Sequence, residues 1–144
     1  MAVGERKDPY LGFNFVIEIH GIVVAGFSEV SGLEVNIDVQ AMREGGVNEY
    51  MRQIAGGAKH PNLVLKRGLT DDDALWNWQR DVVRGKIQRK NGSVVLRDPQ
   101  GTEKWRWNFQ NAYPVKWHGP DLKGGTAEVA IETLELVHEG LVIG

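Results

Sequence analysis

The stretch Gly26–Gly46, GFSEVSGLEVNIDVQAMREGG, contains the clearest strand pattern of the chain. From Leu33 to Gln40 apolar and polar residues alternate without a break. Because successive side chains of a β-strand point to opposite faces, we expect one buried face and one wet face here. Glycine-bearing sequence follows at Arg43-Glu44-Gly45-Gly46, and no strand pattern resumes until about Leu63. The stretch therefore predicts a two-faced strand that opens into a long excursion.

Length and composition bound the class of protein. The chain has 144 residues, of which 42% are hydrophobic and 25% charged, and its formal net charge is −2. These values are ordinary for a globular protein and predict a single domain over residues 1–144. The balanced charge argues against a general nucleic-acid binder, because such proteins usually carry a basic stripe. The absence of cysteine excludes disulfides, thiolate metal sites and cysteine nucleophiles.

The N-terminal segment 1–12 is polar, and it favours either a frayed terminus or an arm that orders on a neighbouring copy. No apolar segment follows its charges as in a signal peptide, and no run approaches the ~20 residues of a transmembrane helix. We therefore expect synthesis in the cytoplasm without a signal peptide and no stable membrane association.

The segments on either side of the opening stretch also resemble strands. Phe13 to His20 alternates and is followed by Ile22 to Ala25, which predicts a hairpin with a turn near His20-Gly21. Leu63 to Lys66 is another short strand. The segment between them, residues 42–61, is marked by two glycine pairs and is interpreted as a long loop; such loops are uncommon in compact domains and usually functional.

One helix is indicated, over residues 71–84. Apolar residues recur at helical spacing from Ala74 to Val82. Thr70 or Asp71 can cap the first turn, where acidic residues complement the helix dipole, and Gly85 fits the end.

The C-terminal half predicts more antiparallel strands. Lys86–Arg97 and Thr102–Tyr113 form a hairpin, and Pro114 ends the second strand or places it at an edge. In the last element, Thr126–Glu139, the apolar phase slips; this predicts a β-bulge near Thr133 or a strand end buried on both faces. The expected fold is mainly β, with two packed antiparallel sheets, sandwich- or barrel-like, and one flanking α-helix.

The search for chemistry predicts no catalytic, metal-binding or cofactor-binding residue, and so no enzyme. The histidines are scattered, the serines lack a nucleophile elbow, and neither glycine pair precedes a phosphate-loop lysine. Trp105 and Trp107 share one strand face, where a core role is favoured over a stacking platform. The polar second faces of the Leu33 and Trp105 strands suit solvent, or the wall of a water-filled channel formed by several copies.

Several segments together resemble tail tube proteins of contractile bacteriophages and related extracellular contractile injection systems. They are DPYLGFNFVIEIHGIVVAGFSEVSGLEV (8–35), REGG (43–46) with the long loop, PNLVLKRGLTDDDALWNW (61–78), NAYPVKW (111–117) and AIETLELVHEGL (130–141). The resemblance implies hexameric rings that stack into a hollow inner tube, which a contractile sheath drives through a target envelope. It also implies assembly into a phage tail or an extracellular injection particle.

The resemblance assigns two groups of residues. Those that contact the adjacent ring would be Met42, Arg43, Glu44, Val47, Asn48, Glu49, Tyr50, Met51, Arg52, Gln53 and Ile54. Those that line the lumen would be Glu34, Asn36, Asp38, Gln40, Arg106, Asn108 and Gln110; this choice of face rests on alternation, with the opposite face of either strand as the alternative.

Partners implied by the resemblance are further copies of the chain, the sheath protein, baseplate or tube-initiator and tube-terminator proteins, and cargo or nucleic acid that transits the lumen; no cofactor is implied. Alternatives are a tube-initiator ring at the baseplate or a secretion-system tube protein of the same fold. An alternative of another class is a monomeric ligand-binding β-barrel with Trp105 and Trp107 in its pocket.

Overall fold

The computed structural model describes residues 8–12, 14–20, 26–42 and 52–144. These residues form nine strands and one helix: β1 Phe15–Ile19, β2 Phe27–Ser31, β3 Asn36–Met42, β4 Arg52–Lys59, β5 Leu63–Gly68, α1 Ala74–Val83, β6 Lys90–Arg97, β7 Glu103–His118, β8 Ile131–Val137 and β9 Gly140–Ile143. The prediction of a mainly β fold with antiparallel sheets and one helix is confirmed. No helix in these ranges is long and apolar enough to cross a bilayer.

Two antiparallel sheets form the body of the molecule and share strand β7. The first sheet has the order β1-β6-β7-β9, and the second has the order β7-β8-β5-β2. Residues 103–112 of β7 pair with β6, and residues 113–118 pair with β8. Strands β3 and β4 form a separate two-stranded hairpin. The predicted hairpin turn at His20-Gly21 and the strand at Ile22–Ala25 lie outside the described residues, apart from His20.

The bend in β7 lies at Asn111, which has a positive φ of 53°. Two β7 residues, Gln110 and Asn111, stand opposite Asn91 of β6, so the strand carries a β-bulge there. Asn91 Oδ1 accepts a hydrogen bond from the Asn111 backbone N–H at 3.0 Å. Asparagine tolerates left-handed backbone better than most residues. This bulge moves the strand from one sheet to the other.

The core lies between the two sheets and under the helix. The first sheet contributes Ile17, Ile19, Val94 and Phe109, the second Leu63, Leu65, Leu134 and Leu136, and the helix Leu75 and Trp78. Gly92 of β6 is part of this packing, because a Cβ there would clash with the ring of Phe109 and the carbonyl of Glu18. The filled interior explains why the sheets stay together.

The helix is shorter than the predicted 71–84. It begins at Ala74, whose N–H donates to Asp72 Oδ1 at 3.0 Å, so neither Thr70 nor Asp71 caps it. Thr70 instead accepts a hydrogen bond from the Asp72 N–H. Gly85 follows the helix with a φ of 86°, as predicted for its end.

The predicted bulge near Thr133 is wrong, since β8 pairs with β5 in continuous register from Ile131 to Leu136. The phase slip has another cause: Glu132 occupies the inward face with Leu134 and is 2% exposed. Inward residues alternate with half-buried ones along the strand, so the end is not buried on both faces. In the sequence, the buried carboxylate of Glu132 was therefore mistaken for a solvent-facing side chain.

Of the two alternatives for Pro114, the edge position is confirmed: β7 continues to His118, and residues 113–118 form the outermost strand of the second sheet, where a missing N–H is tolerated. Two other strand predictions change. Lys86–Arg97 contributes a strand only from Lys90. The tail of the chain adds a separate strand, β9, that the sequence did not indicate.

Candidate assembly surfaces

The outward face of the first sheet is lined with hydrogen-bonding side chains. The strand register places Glu18 of β1 beside Ser93 of β6, and Ser93 beside Asn108 of β7. Ser93 Oγ donates to Asn108 Oδ1 at 2.6 Å. The predicted lumen residues Arg106, Asn108 and Gln110 therefore share one surface with residues of two other strands.

Arg106 is held by two carboxylates on this face. Its Nε and Nη2 lie 3.2 Å and 2.8 Å from the two oxygens of Glu103, and its Nη1 lies 3.0 Å from Glu18 Oε2. The hydrogen bond from Arg106 lowers the pKa of Glu103, and its two carboxylate partners raise the pKa of Arg106. Each guanidinium nitrogen thus faces a carboxylate, and the triad ties β1 to β7 across β6.

Glu103 reaches this face because of a second β-bulge. Leu96 pairs with Trp105, whereas the next residue, Arg97, pairs with Glu103, so Lys104 is the extra residue. Without that insertion, Glu103 would point to the same side as Trp105. Alternation therefore missed Glu103, although the same alternation rule could have identified Glu18.

The other predicted lumen residues do not join this surface. Glu34 precedes β3, and Asn36, Asp38 and Gln40 lie on β3, which pairs with β4 and not with the first sheet. Asp38 forms an ion pair with Lys59 of β4 at 3.3 Å. The predicted strand Leu33–Gln40 begins later than expected, at Asn36.

The apolar face of this hairpin is exposed, which corrects the prediction that it is buried within the chain. Val35, Ile37 and Val39 are 51%, 53% and 53% exposed, and only Leu33 packs against the core. A two-stranded hairpin is marginally stable by itself in water. Its apolar strip thus lacks cover within the described part of the chain.

The predicted long loop at 42–61 is also corrected. Arg52–Lys59 is strand β4 and pairs with β3 from Met42↔Arg52 to Asn36↔Lys59. Of the predicted inter-ring residues, Met42, Arg52, Gln53 and Ile54 lie on the arms of the hairpin. The remaining residues, Arg43, Glu44, Val47, Asn48, Glu49, Tyr50 and Met51, lie outside the described ranges.

Trp105 and Trp107 stack on each other, with ring centroids 5.6 Å apart. Trp107 packs against the core, as predicted, whereas Trp105 at the end of the sheet is 40% exposed. A second aromatic pair, Trp76 and Trp117, fixes the helix to β7 with an edge-to-face contact at 4.9 Å.

Comparison with known proteins identifies the fold and the family. The family model of the T4-like virus tail tube protein gp19 matches residues 11–142. A comparison with curated protein sequences finds no match.

Three solved structures illustrate the likeness. A chain of the six-fold symmetrised baseplate of the anti-feeding prophage is 28% identical, with a TM-score of 0.84 over 96% of this chain and 97% of that one. A chain of the PVC sheath–tube complex, an extracellular contractile injection system in the extended state, is 21% identical, with a TM-score of 0.84 over 94% and 91% of the two chains. Hcp1 from Flavobacterium johnsoniae is 16% identical, with a TM-score of 0.52 over 89% and 94% of the two chains.

The predicted resemblance is thereby confirmed over nearly the whole chain. The protein belongs to the family of the T4-like virus tail tube protein gp19 and is a structural subunit of a tail tube.

Proposed function

We propose that this chain closes into hexameric rings, that the rings stack into a hollow tube, and that the outward face of the first sheet lines the lumen. The observation that carries the proposal is the character of that sheet. One face packs in the core, while the other presents Glu18, Arg106, Asn108 and Gln110 at its surface, with Ser93 and Val95 of β6 buried and Val142 of β9 exposed. A wall that faces water needs such side chains, and a closed ring removes exposed sheet edges.

The two ends of the first sheet are suited to joining neighbouring copies. In the described pairings, β1 bonds to β6 and β9 bonds to β7, so each leaves one edge open. Val142 and Ile143 of β9 are 52% and 62% exposed. Pairing β9 of one copy with β1 of the next continues the sheet around the ring and gives these side chains cross-strand neighbours.

The β3–β4 hairpin provides the contact between rings in this proposal. Its strip of Val35, Ile37 and Val39 is exposed on the single chain, and burial of apolar area favours a partner surface. Ordering a hairpin costs about 1 kcal/mol per residue in conformational entropy. We therefore expect the contact to become stable only when rings stack.

The partners follow from the assemblies in which similar chains occur. One similar chain comes from a baseplate and another from a sheath–tube complex. We propose that a sheath surrounds this tube, with baseplate or initiator proteins at one end and a terminator at the other. The particle is then a phage tail or an extracellular injection particle whose cargo or nucleic acid passes through the lumen.

The alternatives receive less support. The TM-score to a type six secretion system protein is 0.58, against 0.84 for the baseplate chain, which favours an injection-particle tube over a secretion-system tube. A ligand-binding barrel needs an internal cavity, whereas Phe109, Leu65 and Leu134 fill the described interior with no exposure. A tube-initiator ring shares the proposed surfaces and differs by its place in the particle.

Single-cysteine labelling of assembled tubes tests the lumen assignment, because the chain contains no cysteine of its own. Gln110→Cys and Lys116→Cys place thiols on the two halves of β7, and both native residues are exposed. A bulky polymer-linked maleimide should label position 116 in assembled tubes and position 110 only after disassembly. Rapid labelling of position 110 in intact tubes, checked by negative-stain electron microscopy, would refute the assignment.

A further inference from the structure

The first-sheet triad of Glu18, Arg106 and Glu103 contains more hydrogen bonds than a contribution to folding stability explains. The side chains of Arg106, Glu18 and Glu103 are 27%, 54% and 46% exposed to solvent. Exposed ion pairs contribute little to folding because water and salt screen them. The triad nevertheless uses all three guanidinium nitrogens and depends on a β-bulge at Lys104.

The chemistry of arginine suggests what this arrangement prevents. A free guanidinium binds phosphate through paired N–H donors and favours nucleic-acid backbones. In this triad Glu103 occupies Nε and Nη2, and Glu18 occupies Nη1. Arg97 of β6 is the register partner of Glu103, and its charge also lowers the pKa of that carboxyl.

We propose that Glu18 and Glu103 mask Arg106, so that this face does not retain a phosphodiester polyanion. Along a tube wall, unmasked arginines would repeat from copy to copy and form basic tracks on which a nucleic acid would stall. With the carboxylates in place, a phosphate must displace a bidentate partner and approach two negative charges. Only the position of this face in the lumen rests on the proposed function.

Unassembled subunits test the mask directly. Fluorescence anisotropy with a labelled single-stranded DNA oligonucleotide at low salt compares the wild type with the double variant Glu18→Gln/Glu103→Gln. We expect about tenfold tighter binding by the double variant, the size of one newly available charge-assisted contact. Adding Arg106→Gln to the double variant should reverse most of that gain. Unchanged affinity in the double variant would overturn the proposal.

A matched control uses the second sheet. Glu29→Gln removes the carboxylate that lies 3.6 Å from Lys66, which is the same chemical change on another surface. Lys66 contacts Glu29 through its single side-chain nitrogen, so it is masked less completely than Arg106. We therefore expect Glu29→Gln to give less than half the gain in DNA affinity that the double variant gives. The double variant removes two carboxylates and Glu29→Gln removes one, so half or more of the gain on a logarithmic affinity scale would show that net charge alone sets the affinity, which would also overturn the proposal.

Assembled tubes separate this inference from the proposed function. Tubes formed with the oligonucleotide present are treated with nuclease, and the protected DNA is measured. The double variant should protect DNA, whereas wild-type and Glu29→Gln tubes should not. Tighter binding without nuclease protection would support the mask but contradict the lumen assignment. If the double variant does not assemble, the anisotropy comparison still decides the mask.

Discussion

Arg67 of β5 and Glu132 of β8 face each other inside the second sheet, with Arg67 Nε 3.1 Å from Glu132 Oε2 and both residues only 2% exposed. The other carboxylate oxygen of Glu132 accepts a hydrogen bond from Trp117 Nε1 at 3.1 Å. Arg67 also contacts Asp72, which precedes the helix. The pair therefore joins the second sheet, the helix entry and β7 in one buried network.

Glu132→Gln should destabilise the folded chain by about 3–5 kcal/mol, because among the described residues it leaves the buried Arg67 charge with the more exposed Asp72 as its remaining carboxylate partner. Chemical denaturation monitored by tryptophan fluorescence measures this loss. The double variant Arg67→Met/Glu132→Leu removes both charges, and it should be much closer to the wild type than the single variant. A single variant within about 1 kcal/mol of the wild type would contradict the assigned network.

Gly92→Ala should destabilise the chain by about 1–3 kcal/mol or prevent folding, because the added methyl meets the Phe109 ring and the Glu18 carbonyl. Gly124→Ala is the matched control, since a Cβ at that position has no atom within 4 Å. Thermal unfolding followed by circular dichroism compares the two variants. Equal melting temperatures would show that β6 packs less closely than described.

Asn111→Val should destabilise the chain by about 1–2 kcal/mol, because a β-branched residue resists the positive φ of 53°. Asn111→Gly keeps the backbone conformation and loses only the hydrogen bond from Asn111 Nδ2 to Glu139 Oε2. In urea unfolding, the Asn111→Gly variant should therefore have a clearly higher free energy of unfolding than the Asn111→Val variant. The reverse order would indicate that the side-chain bond, and not the backbone, matters at this bend.

Stability should fall on mild acidification because of His138. Burial chiefly lowers its pKa below the ordinary 6.5, and the nearby His60 ring, whose centroid lies 5.3 Å away, acts in the same direction. The unfolded chain then binds the proton more readily than the folded one. The contribution is therefore complete above the unfolded pKa of 6.5 and is lost as pH falls toward the lower folded pKa.

His138→Gln should remove this part of the pH dependence. The measurement is the free energy of unfolding of the wild type minus that of the variant, between about pH 7.5 and pH 5. We expect this difference to fall as pH decreases below the unfolded pKa. A difference that stays constant across the range would rule out the titration of His138 as the cause.

Replacing Val35, Ile37 and Val39 by threonine should impair assembly and leave the single chain stable. These side chains are exposed, so the free energy of unfolding should change by less than about 0.5 kcal/mol. Tube length in electron micrographs should fall strongly, because the proposed inter-ring contact loses its apolar strip. Asn36→Thr/Gln40→Thr on the other face of β3 is the control, and long tubes from the apolar-strip variant would refute the proposed contact.

Alternation and helix spacing predicted β1, β3 and β5 to β8, the helix and the shared face of Arg106, Asn108 and Gln110, because these signals are local. The errors arose where tertiary contacts override a local pattern. Glu132 looked solvent-exposed because its buried partner Arg67 is distant in sequence. Glu103 was missed because the bulge at Lys104 reverses its direction.

The hairpin shows a different limit of the sequence. Arg52–Lys59 contains glycine and alanine, so its own pattern does not indicate a strand, yet it pairs with β3 along its length. The alternation of β3 correctly separated two faces. It could not predict that the apolar face is left uncovered on the single chain, because the cover proposed here comes from another molecule.

The passage of β7 through both sheets has a mechanical consequence. In the proposed tube, residues 103–110 belong to the inner wall and residues 113–118 to the outer layer, and one uninterrupted backbone connects them. A load that a sheath applies to the outer layer is then carried to the inner wall through covalent bonds, in addition to side-chain packing. The two layers therefore resist sliding past each other more strongly than layers that are joined by side-chain packing alone.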